Sequence, residues 1–497
     1  MSIKLPKLKK IGANTHRKKI LLLSDDIKFH SGVATISREI VVGLAHKFDF
    51  VQLAAALQHP EHGKRIDLSD AINAERNIDD ASVVQYCHSG YGNQIVLREV
   101  IDLEKPDMVL LITDPRFFGF VFQMEHELRS HYKIPIAYLN IWDQASPFPM
   151  WNAPFYASCD LLMSINRGTK VVNKEVLSYN GYQTYDLDLG ESPNGTALAY
   201  VPHGSSAKYF YKITPESPDW REYKEFEAKV KTQHGVDFVV LFNNRNIRRK
   251  QPGDVILAYK LFCDKLPPDT AQRCALFMKT QVADENGTDL LAVKAAICPK
   301  YKVIFSEDIM PTNAMNWLYN ASDAVFYMSS AEGFGLAANE GLMTGKVLIA
   351  PVTGGLQDQM RFEDENGDWI KFDSEFTSNH RKKYKKCGDW AIPIFPRARQ
   401  LQGSVPTPYI FDDVCDAEDA ANALYEVYNM GKEERERRGN LGSNWVLGSE
   451  SGMNHVDMCK RMEFAIDHVF TNFKPRQRFE ILKSNPKPPI SNNGITY

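Results

Sequence analysis

Residues 324–345 read AVFYMSSAEGFGLAANEGLMTG and predict a β-strand, a tight glycine turn and a helix in direct succession. The apolar run ends near Met328, the turn holds Gly333 and Gly335, and the helix begins near Leu336. Because the first N–H groups of a helix have no partner within it, they can face an anion. We therefore expect a phosphate group at this turn.

Short apolar runs of the same kind recur on both sides of this unit. Runs that are buried on both faces are typical of parallel strands, and amphipathic stretches between them, such as residues 34–46, suit crossover helices. The predicted strands lie near residues 20–23, 108–112, 134–139, 161–163 and 199–201, and then near 238–242, 275–278, 303–305, 324–328 and 346–350. We predict an α/β protein with two doubly wound domains whose ligand lies in the cleft between them.

The same patterns predict where the segments of the chain begin and end. The predicted segments are a basic N-terminal extension (1–18), a first domain (19–210), a second domain (211–455) with a loop insertion near 375–410, a helix that returns to the first domain (456–475) and a flexible tail (476–497).

Composition excludes several classes of protein. The 497 residues are 43% hydrophobic and 24% charged, which excludes a wholly disordered or collagen-like chain. The net charge of -3 means that a polyanion would have to bind a local basic patch. The eight cysteines form no CxxC pair, and no apolar run is long enough to span a bilayer, so we expect a cytoplasmic protein with free thiols.

Two segments carry the chemistry. Glu340, on the helix after the glycine turn, can reach the hydroxyls of a ligand whose phosphate lies at the turn, as carboxylates do with ribose. Residues 242–252 read FNNRNIRRKQP and follow a strong predicted strand, where Arg and Lys can neutralise a diphosphate leaving group. Close packing of the glycines and a solvated charge run are the alternatives that the residues leave open.

Together these segments resemble the retaining glycosyltransferases of the GT-B fold, in particular the large family with a Glu-x(7)-Glu signature, glycosyltransferase family four. Glu332 and Glu340 have that spacing, and Arg245 precedes Lys250 by the family's five positions. The further matches are Ser31-Gly32-Val33 at the Gly loop, Val201-Pro202-His203-Gly204 at the hinge, and Gly354-Gly355 after the next strand. The chain as a whole is similar to glycosyltransferases of large phages, which would place it in the host cytoplasm.

The resemblance implies two Rossmann-like domains that face each other across a cleft and bind a nucleotide sugar, with a UDP-sugar preferred. Arg245 and Lys250 would hold the donor diphosphate, and Glu332 would bind the hydroxyls of the donor sugar. Glu340 would bind the ribose, and Gly32 would let the backbone approach the phosphates. The remaining predicted donor contacts, which shape the sugar pocket, are Gly333, Phe334, Gly335 and Leu336.

The resemblance also implies a mechanism without a cofactor or a metal ion. The family retains the anomeric configuration because the acceptor attacks on the face from which the diphosphate departs. A family histidine in the acceptor cleft has no clear counterpart; Asp143 lies in that region, either as a contact of the transferring sugar or as a structural residue. Asp186 and Asp188 match the metal-binding pattern Asp-x-Asp, but no strong predicted strand precedes them.

The resemblance to glycosyltransferases of large phages, some of which add a sugar to hydroxymethylated cytosine in DNA, implies 5-hydroxymethylcytosine in phage DNA as the acceptor. Basic clusters at residues 4–19 and 381–386 could follow a phosphate backbone, although solvated loops explain them equally well. Glycan, lipid and protein acceptors are the alternatives. A sugar-nucleotide epimerase of the same fold and a non-catalytic nucleotide-binding or DNA-binding scaffold are the other functions that the residues leave open.

Overall fold

A computed structural model describes residues 17–143 and 147–477, and two parallel sheets organise them. The strands are β1 (Lys19–Asp25), β2 (Asp49–Ala56), β3 (Arg65–Asp67), β4 (Val83–Ser89), β5 (Met108–Ile112), β6 (Ile136–Asn140), β7 (Leu161–Ser164), β8 (Thr184–Asp186), β9 (Thr196–Tyr200), β10 (Phe238–Asn243), β11 (Cys274–Lys279), β12 (Lys302–Ser306), β13 (Ala324–Phe326), β14 (Val347–Pro351), β15 (Ala391–Ile394), β16 (Ala398–Ser404) and β17 (Thr407–Val414).

Helices cover the faces of these sheets. The α-helices are α1 (Gly32–Leu44), α2 (Ser69–Arg76), α3 (Gln94–Glu104), α4 (Gly119–Gln123), α5 (Glu125–Glu127), α6 (Ala153–Ala157), α7 (Arg167–Tyr179), α8 (Trp220–Glu227), α9 (Pro252–Asp264), α10 (Pro268–Ala271), α11 (Leu290–Ile297), α12 (Thr312–Ala321), α13 (Leu336–Met343), α14 (Leu356–Met360), α15 (Ala417–Asn429), α16 (Gly431–Leu447) and α17 (His455–Asn472). Among the described residues, none of these helices is both long and apolar enough to cross a bilayer.

The first domain is a nine-stranded sheet in the order β3-β4-β2-β1-β5-β6-β7-β9-β8, and only β3 runs antiparallel to its neighbour. All five predicted strands of this half are confirmed, but β2 and β4 were not predicted. Each of them carries a buried glutamine that interrupts its apolar run. Gln85 donates to Gln52, and Gln52 donates to Ser24, so a chain of hydrogen bonds links these polar side chains inside the sheet.

The second domain is a six-stranded parallel sheet in the order β12-β11-β10-β13-β14-β15. Its strand order reverses between β10 and β13, as that of the first sheet reverses between β1 and β5. Ligands of such sheets bind outside the carboxyl ends of the strands at these reversal points. The candidate site residues from the sequence analysis lie in the segments that follow β1, β10 and β13, except Asp143, which follows β6.

The prediction of a loop insertion near 375–410 is wrong in part. Residues 391–394 form β15, which pairs in parallel with β14 at the edge of the main sheet. Pro393 lies in this strand, and an edge strand tolerates a proline because one of its sides has no ladder to complete. The following residues form an antiparallel hairpin, β16–β17, outside both main sheets.

The chain passes between the two domains at two places that touch each other. Ser205 forms an isolated bridge with Asn454, and a Cβ at Gly204 would lie 2.2 Å from the backbone carbon of Asn454. Beyond this crossing, α17 packs on α1 of the first domain, where Lys47 pairs with Asp467 at 2.8 Å. Most of the predicted extension (1–18) and tail (476–497) lies outside the described residues.

Candidate active site

A cavity of about 800 Å³ lies between the two domains at the reversal points of both sheets. It is lined by all the residues that the sequence analysis assigns to the site, although they come from distant parts of the chain. These residues are Gly32, Asp143, Arg245, Lys250, Glu332, Gly333, Phe334, Gly335, Leu336 and Glu340.

The N-terminus of α1 forms the first-domain wall of this cavity. Ser31 caps the helix by accepting a hydrogen bond from the Ala34 N–H at 3.0 Å, and it donates its own hydroxyl proton to Asp25. A Cβ at Gly32 would lie 3.7 Å from Leu336, an ordinary contact distance, so the protein itself does not require glycine there. The absent side chain leaves the helix N-terminus open to a ligand.

The glycine turn before α13 forms the opposite wall. Gly335 has φ +89° at the N-cap, a conformation that favours glycine, and α13 begins at Leu336 as predicted. The next loop lies directly on this turn, because a Cβ at Gly354 would meet the Glu332 carbonyl oxygen at 1.9 Å. Asn166 of the first domain donates to the Gly333 carbonyl at 2.7 Å, which fixes the turn across the cleft.

The short 3₁₀ turn Arg248–Lys250 directs three cationic side chains in three directions. Lys250 forms a buried ion pair with Glu332. Arg249 reaches across the cleft, with a guanidinium nitrogen 3.7 Å from the Asp143 carboxylate. Arg248 contacts Gln402 of the hairpin at 3.2 Å.

These contacts set the charges at the centre of the cavity. Burial opposes ionisation of Glu332, but Lys250 and Arg249 outweigh it and lower the pKa of this carboxyl. Burial raises the pKa of Asp143, and Arg249 works against that rise. The charged Glu332 carboxylate therefore lies next to the glycine turn, with the cationic side chains of Lys250 and Arg249 beside it.

Arg245 differs from its predicted partner Lys250. Its guanidinium pairs with Asp284 at 2.9 Å, and 61% of its side chain is exposed. It lines the cavity at the mouth, whereas Lys250 lies inside against Glu332. The two side chains thus face one cavity without touching the same groups.

Glu340 lies where the first cavity meets a second one of about 1100 Å³. Tyr319 donates to its carboxylate at 2.6 Å, and Asn243 donates to the Tyr319 hydroxyl at 2.9 Å. Burial raises the pKa of Glu340 to about 7. The second cavity shares with the first the residues Ser31, Gly32, Asn243, Asn244, Arg245 and Glu340.

Sequence reasoning missed several residues of this site. His203 lines the cavity, with its ring centroid 5.4 Å from that of Phe334, and burial lowers its pKa to about 3, so it is neutral. Arg249 and Asn243 stand within the quoted segment 242–252, but its spacing did not distinguish them from their neighbours. Tyr319 carries no local signal, because only the fold brings α12 beside α13.

Two clusters contain residue types that can bind a metal ion. Lys170 pairs with both Asp186 and Asp188, so the two carboxylates that match a metal-binding Asp-x-Asp pattern form salt bridges with a lysine. Among the described residues, Asp26, His59 and Cys87 place their ligand atoms within 4.8 Å of one another. His59 donates from Nε2 to Asp26 while its Nδ1 accepts the Glu61 N–H, a tautomer that leaves no lone pair for a metal.

Comparison with known proteins identifies the fold as GT-B, with two Rossmann-like domains, which confirms the predicted fold class. The sucrose-phosphate synthase of Thermosynechococcus elongatus is 14% identical with a TM-score of 0.61, over 92% of this chain and all of the other. HepE of Anabaena, in complex with UDP and glucose, is 13% identical with a TM-score of 0.58, over 91% and 100%. A trehalose-6-phosphate structure from E. coli bound with UDP-2-fluoro glucose is 12% identical with a TM-score of 0.59, over 92% and 100%.

These likenesses are to the fold. No protein-family model matches the chain, and none of the curated proteins matches it in sequence.

Proposed function

We propose that this protein is a retaining glycosyltransferase that moves a sugar from a nucleotide-sugar donor, preferably a UDP-sugar, to a hydroxyl group. The observation that carries the proposal is the convergence of the α1 N-terminus, Lys250, Glu332 and Glu340 on one interdomain cavity. Helix N-termini and lysines bind phosphate groups, and carboxylates bind sugar hydroxyls. Structural neighbours that hold UDP with glucose or UDP-2-fluoro glucose support the choice of donor.

The two adjoining cavities suggest how the donor lies. Glu340, at their boundary, would accept hydrogen bonds from the ribose, with the nucleoside extending into the second cavity. The diphosphate would lie between the Gly32 backbone and the Lys250 ammonium, with Arg245 at the mouth. The donor sugar would then face Glu332 and the Gly333–Gly335 turn.

Transfer follows from this placement. The acceptor oxygen bonds to the anomeric carbon as the bond from that carbon to the diphosphate oxygen breaks. The departing diphosphate takes the acceptor proton on the same face, which retains the configuration. Lys250 and the helix N-terminus stabilise the charge that develops on the leaving group, and one such contact is worth roughly 10²–10³ in rate.

Glu332 and Asp143 have no role as a free acid and base pair in this scheme. Each of them faces a cation, Lys250 and Arg249 respectively. Their carboxylates suit binding of sugar hydroxyls, and metal-independent catalysis remains a prediction of the scheme.

The acceptor suggested by the sequence, 5-hydroxymethylcytosine in DNA, stays a prediction. Within the described part of the basic clusters, Lys18 pairs with Asp107 and Lys386 pairs with Glu363. A gel-shift experiment with hydroxymethylated duplex at rising salt would test it, because phosphate contacts weaken as salt rises.

Donor binding and turnover test the proposed function together. Titration calorimetry with UDP, and release of UDP from UDP-glucose labelled in the sugar, would be measured for the wild type and for Lys250→Ala. Lys260→Ala removes an equal charge on α9 from a pair with Asp264 and serves as the control. We expect binding and turnover to fall only in Lys250→Ala. Label that stays on the nucleotide as an isomer would favour an epimerase, and equal behaviour of both variants would contradict the proposal.

A further inference from the structure

We propose that Trp142 and the β16–β17 hairpin form the acceptor subsite of the cleft, and that this subsite takes a neutral saccharide ring. The inference rests on the proposed function, from which it takes the position of the donor.

The arrangement of the two cavities indicates from which side the acceptor approaches the donor sugar. The end of the first cavity that adjoins the second cavity carries Glu340 and Arg245, and Glu332 lies further in. The residues of the first cavity that do not line the second include Trp142, Asp143, Thr407 and Ile410. If the nucleoside occupies the second cavity, the acceptor has to approach the donor sugar from the hairpin end.

The hairpin belongs to the second domain but is fixed against the catalytic centre and against the first domain. At its base, Asp413 accepts hydrogen bonds from Arg399 and Thr353, and its N–H donates to the Ser330 carbonyl, two residues before Glu332. Further along, the Tyr409 ring lies 4.4 Å from the Trp151 ring of the first domain. The hairpin therefore holds Thr407 and Ile410 at a defined position relative to Glu332.

The wall beside the hairpin has the chemistry of a sugar-binding surface. Trp142 lines the cavity, and its ring packs nearly perpendicular to Trp151 at 6.0 Å, while Trp151 in turn is nearly perpendicular to Tyr409. This forms an aromatic corner, unlike the parallel slot that would sandwich a nucleobase. The Trp142 indole N–H is buried and has no acceptor among the described residues, so a ligand hydroxyl would satisfy it.

Charge at this end of the cleft argues against an anionic acceptor. Arg116 forms a two-pronged ion pair with Asp114, and Arg249 faces Asp143. Arg399 is likewise held by Asp413. The carboxylates of Asp114, Asp143 and Asp413 offset the charges of these three arginines, so the three pairs leave no net positive charge that would favour a sugar phosphate or a nucleic-acid backbone over a neutral ring.

The test uses UDP-glucose as donor and three kinds of acceptor: the neutral disaccharides maltose, cellobiose and lactose, then glucose 6-phosphate, and hydroxymethylated duplex DNA. Release of UDP gives KM and kcat for Trp142→Phe and Ile410→Ser, and calorimetry gives the dissociation constant of UDP. Val405→Ala is the matched control, because Val405 lies in the same hairpin with 98% of its surface exposed.

We expect transfer to at least one neutral saccharide, with KM for that saccharide raised roughly tenfold in both variants, as loss of one hydrogen bond or apolar contact implies. UDP affinity should stay within twofold of the wild type, and Val405→Ala should match the wild type throughout. Transfer only to glucose 6-phosphate or DNA, no transfer to any of the three disaccharides, or unchanged KM values would overturn this inference alone. Failure of UDP and UDP-glucose to bind would overturn it together with the proposed function.

Discussion

The Arg249 guanidinium of the second domain lies 3.7 Å from the Asp143 carboxylate of the first, so an ion pair bridges the cleft directly beside Glu332. Arg249 also donates to the Ala331 carbonyl at 2.8 Å, which ties the same side chain to the segment leading into Glu332. The pair links the relative position of the domains to the geometry of the site.

Arg249→Met should therefore lower turnover by about 10²-fold, because both the bridge and a nearby positive charge are lost. Asp143→Asn should cost less, since its amide still accepts a hydrogen bond. The double variant should lose less than the two single losses combined, because both changes remove the same ion pair. Steady-state UDP release measures these effects; strictly additive losses would show that the two residues act independently.

Removal of Lys250 should also affect stability. Lys250→Ala leaves the Glu332 carboxylate buried without its partner, a change that typically costs roughly 3–5 kcal/mol. Adding Glu332→Gln should recover much of the lost free energy of unfolding without restoring activity. Urea denaturation of both variants, with circular dichroism as the probe, separates the two effects. A double variant as unstable as Lys250→Ala would contradict the claim that the unpaired Glu332 carboxylate causes the loss of stability.

The pH dependence of stability should reveal Glu340. Burial raises its pKa from 4.5 to about 7, so between these values the native state keeps a proton that the unfolded chain releases. The contribution of this proton to the free energy of unfolding is fully present below pH 4.5. It falls by up to about 1.4 kcal/mol per pH unit until the pH passes 7.

Glu340→Gln lacks this dependence because glutamine does not titrate, and Tyr319 can still donate to its amide oxygen. Relative to the wild type, the variant should gain about 1–3 kcal/mol between pH 5 and pH 7.5, while its affinity for UDP falls. Denaturation curves at the two pH values supply the comparison. A constant difference between the two proteins would mean that Glu340 ionises normally.

Gly32→Ala should separate ligand binding from folding. A methyl group there would meet only Leu336, at 3.7 Å, so the thermal midpoint should stay within a few degrees of the wild type. Affinity for UDP should fall tenfold or more, because the methyl group would occupy space beside the helix N-terminus. Unchanged UDP affinity in a folded variant would show that the phosphate does not lie at this position.

Local patterns predicted much of the fold because the central strands are fully apolar and the glycine turn has strict backbone requirements. The position of α13 after Gly335 is an example, since its φ of +89° is a local property. By contrast, β2 and β4 were missed because their buried glutamines find their hydrogen-bond partners in other segments of the chain, among them each other, Ser24 and Asp26. The edge strand β15 was missed because Pro393 is acceptable only where no further strand pairs.

In the candidate site, too, some residues have a local sequence signal, whereas others depend on contacts between distant segments. Glu340 and the basic segment that contains Lys250 could be named from their positions after predicted strands, and Glu332 from the resemblance to the Glu-x(7)-Glu family. The bridge between Arg249 and Asp143 depends on how the two domains pack, and the contact of Tyr319 with Glu340 depends on the packing of α12 beside α13. Such contacts between distant segments have no local sequence signal.

The most direct test of the central claim is a crystal structure of the protein with UDP bound. The account predicts the diphosphate within hydrogen-bonding distance of the Gly32 N–H and the Lys250 ammonium, and the ribose hydroxyls on the Glu340 carboxylate. UDP bound elsewhere on the molecule, or a cleft that stays empty at saturating UDP, would contradict it.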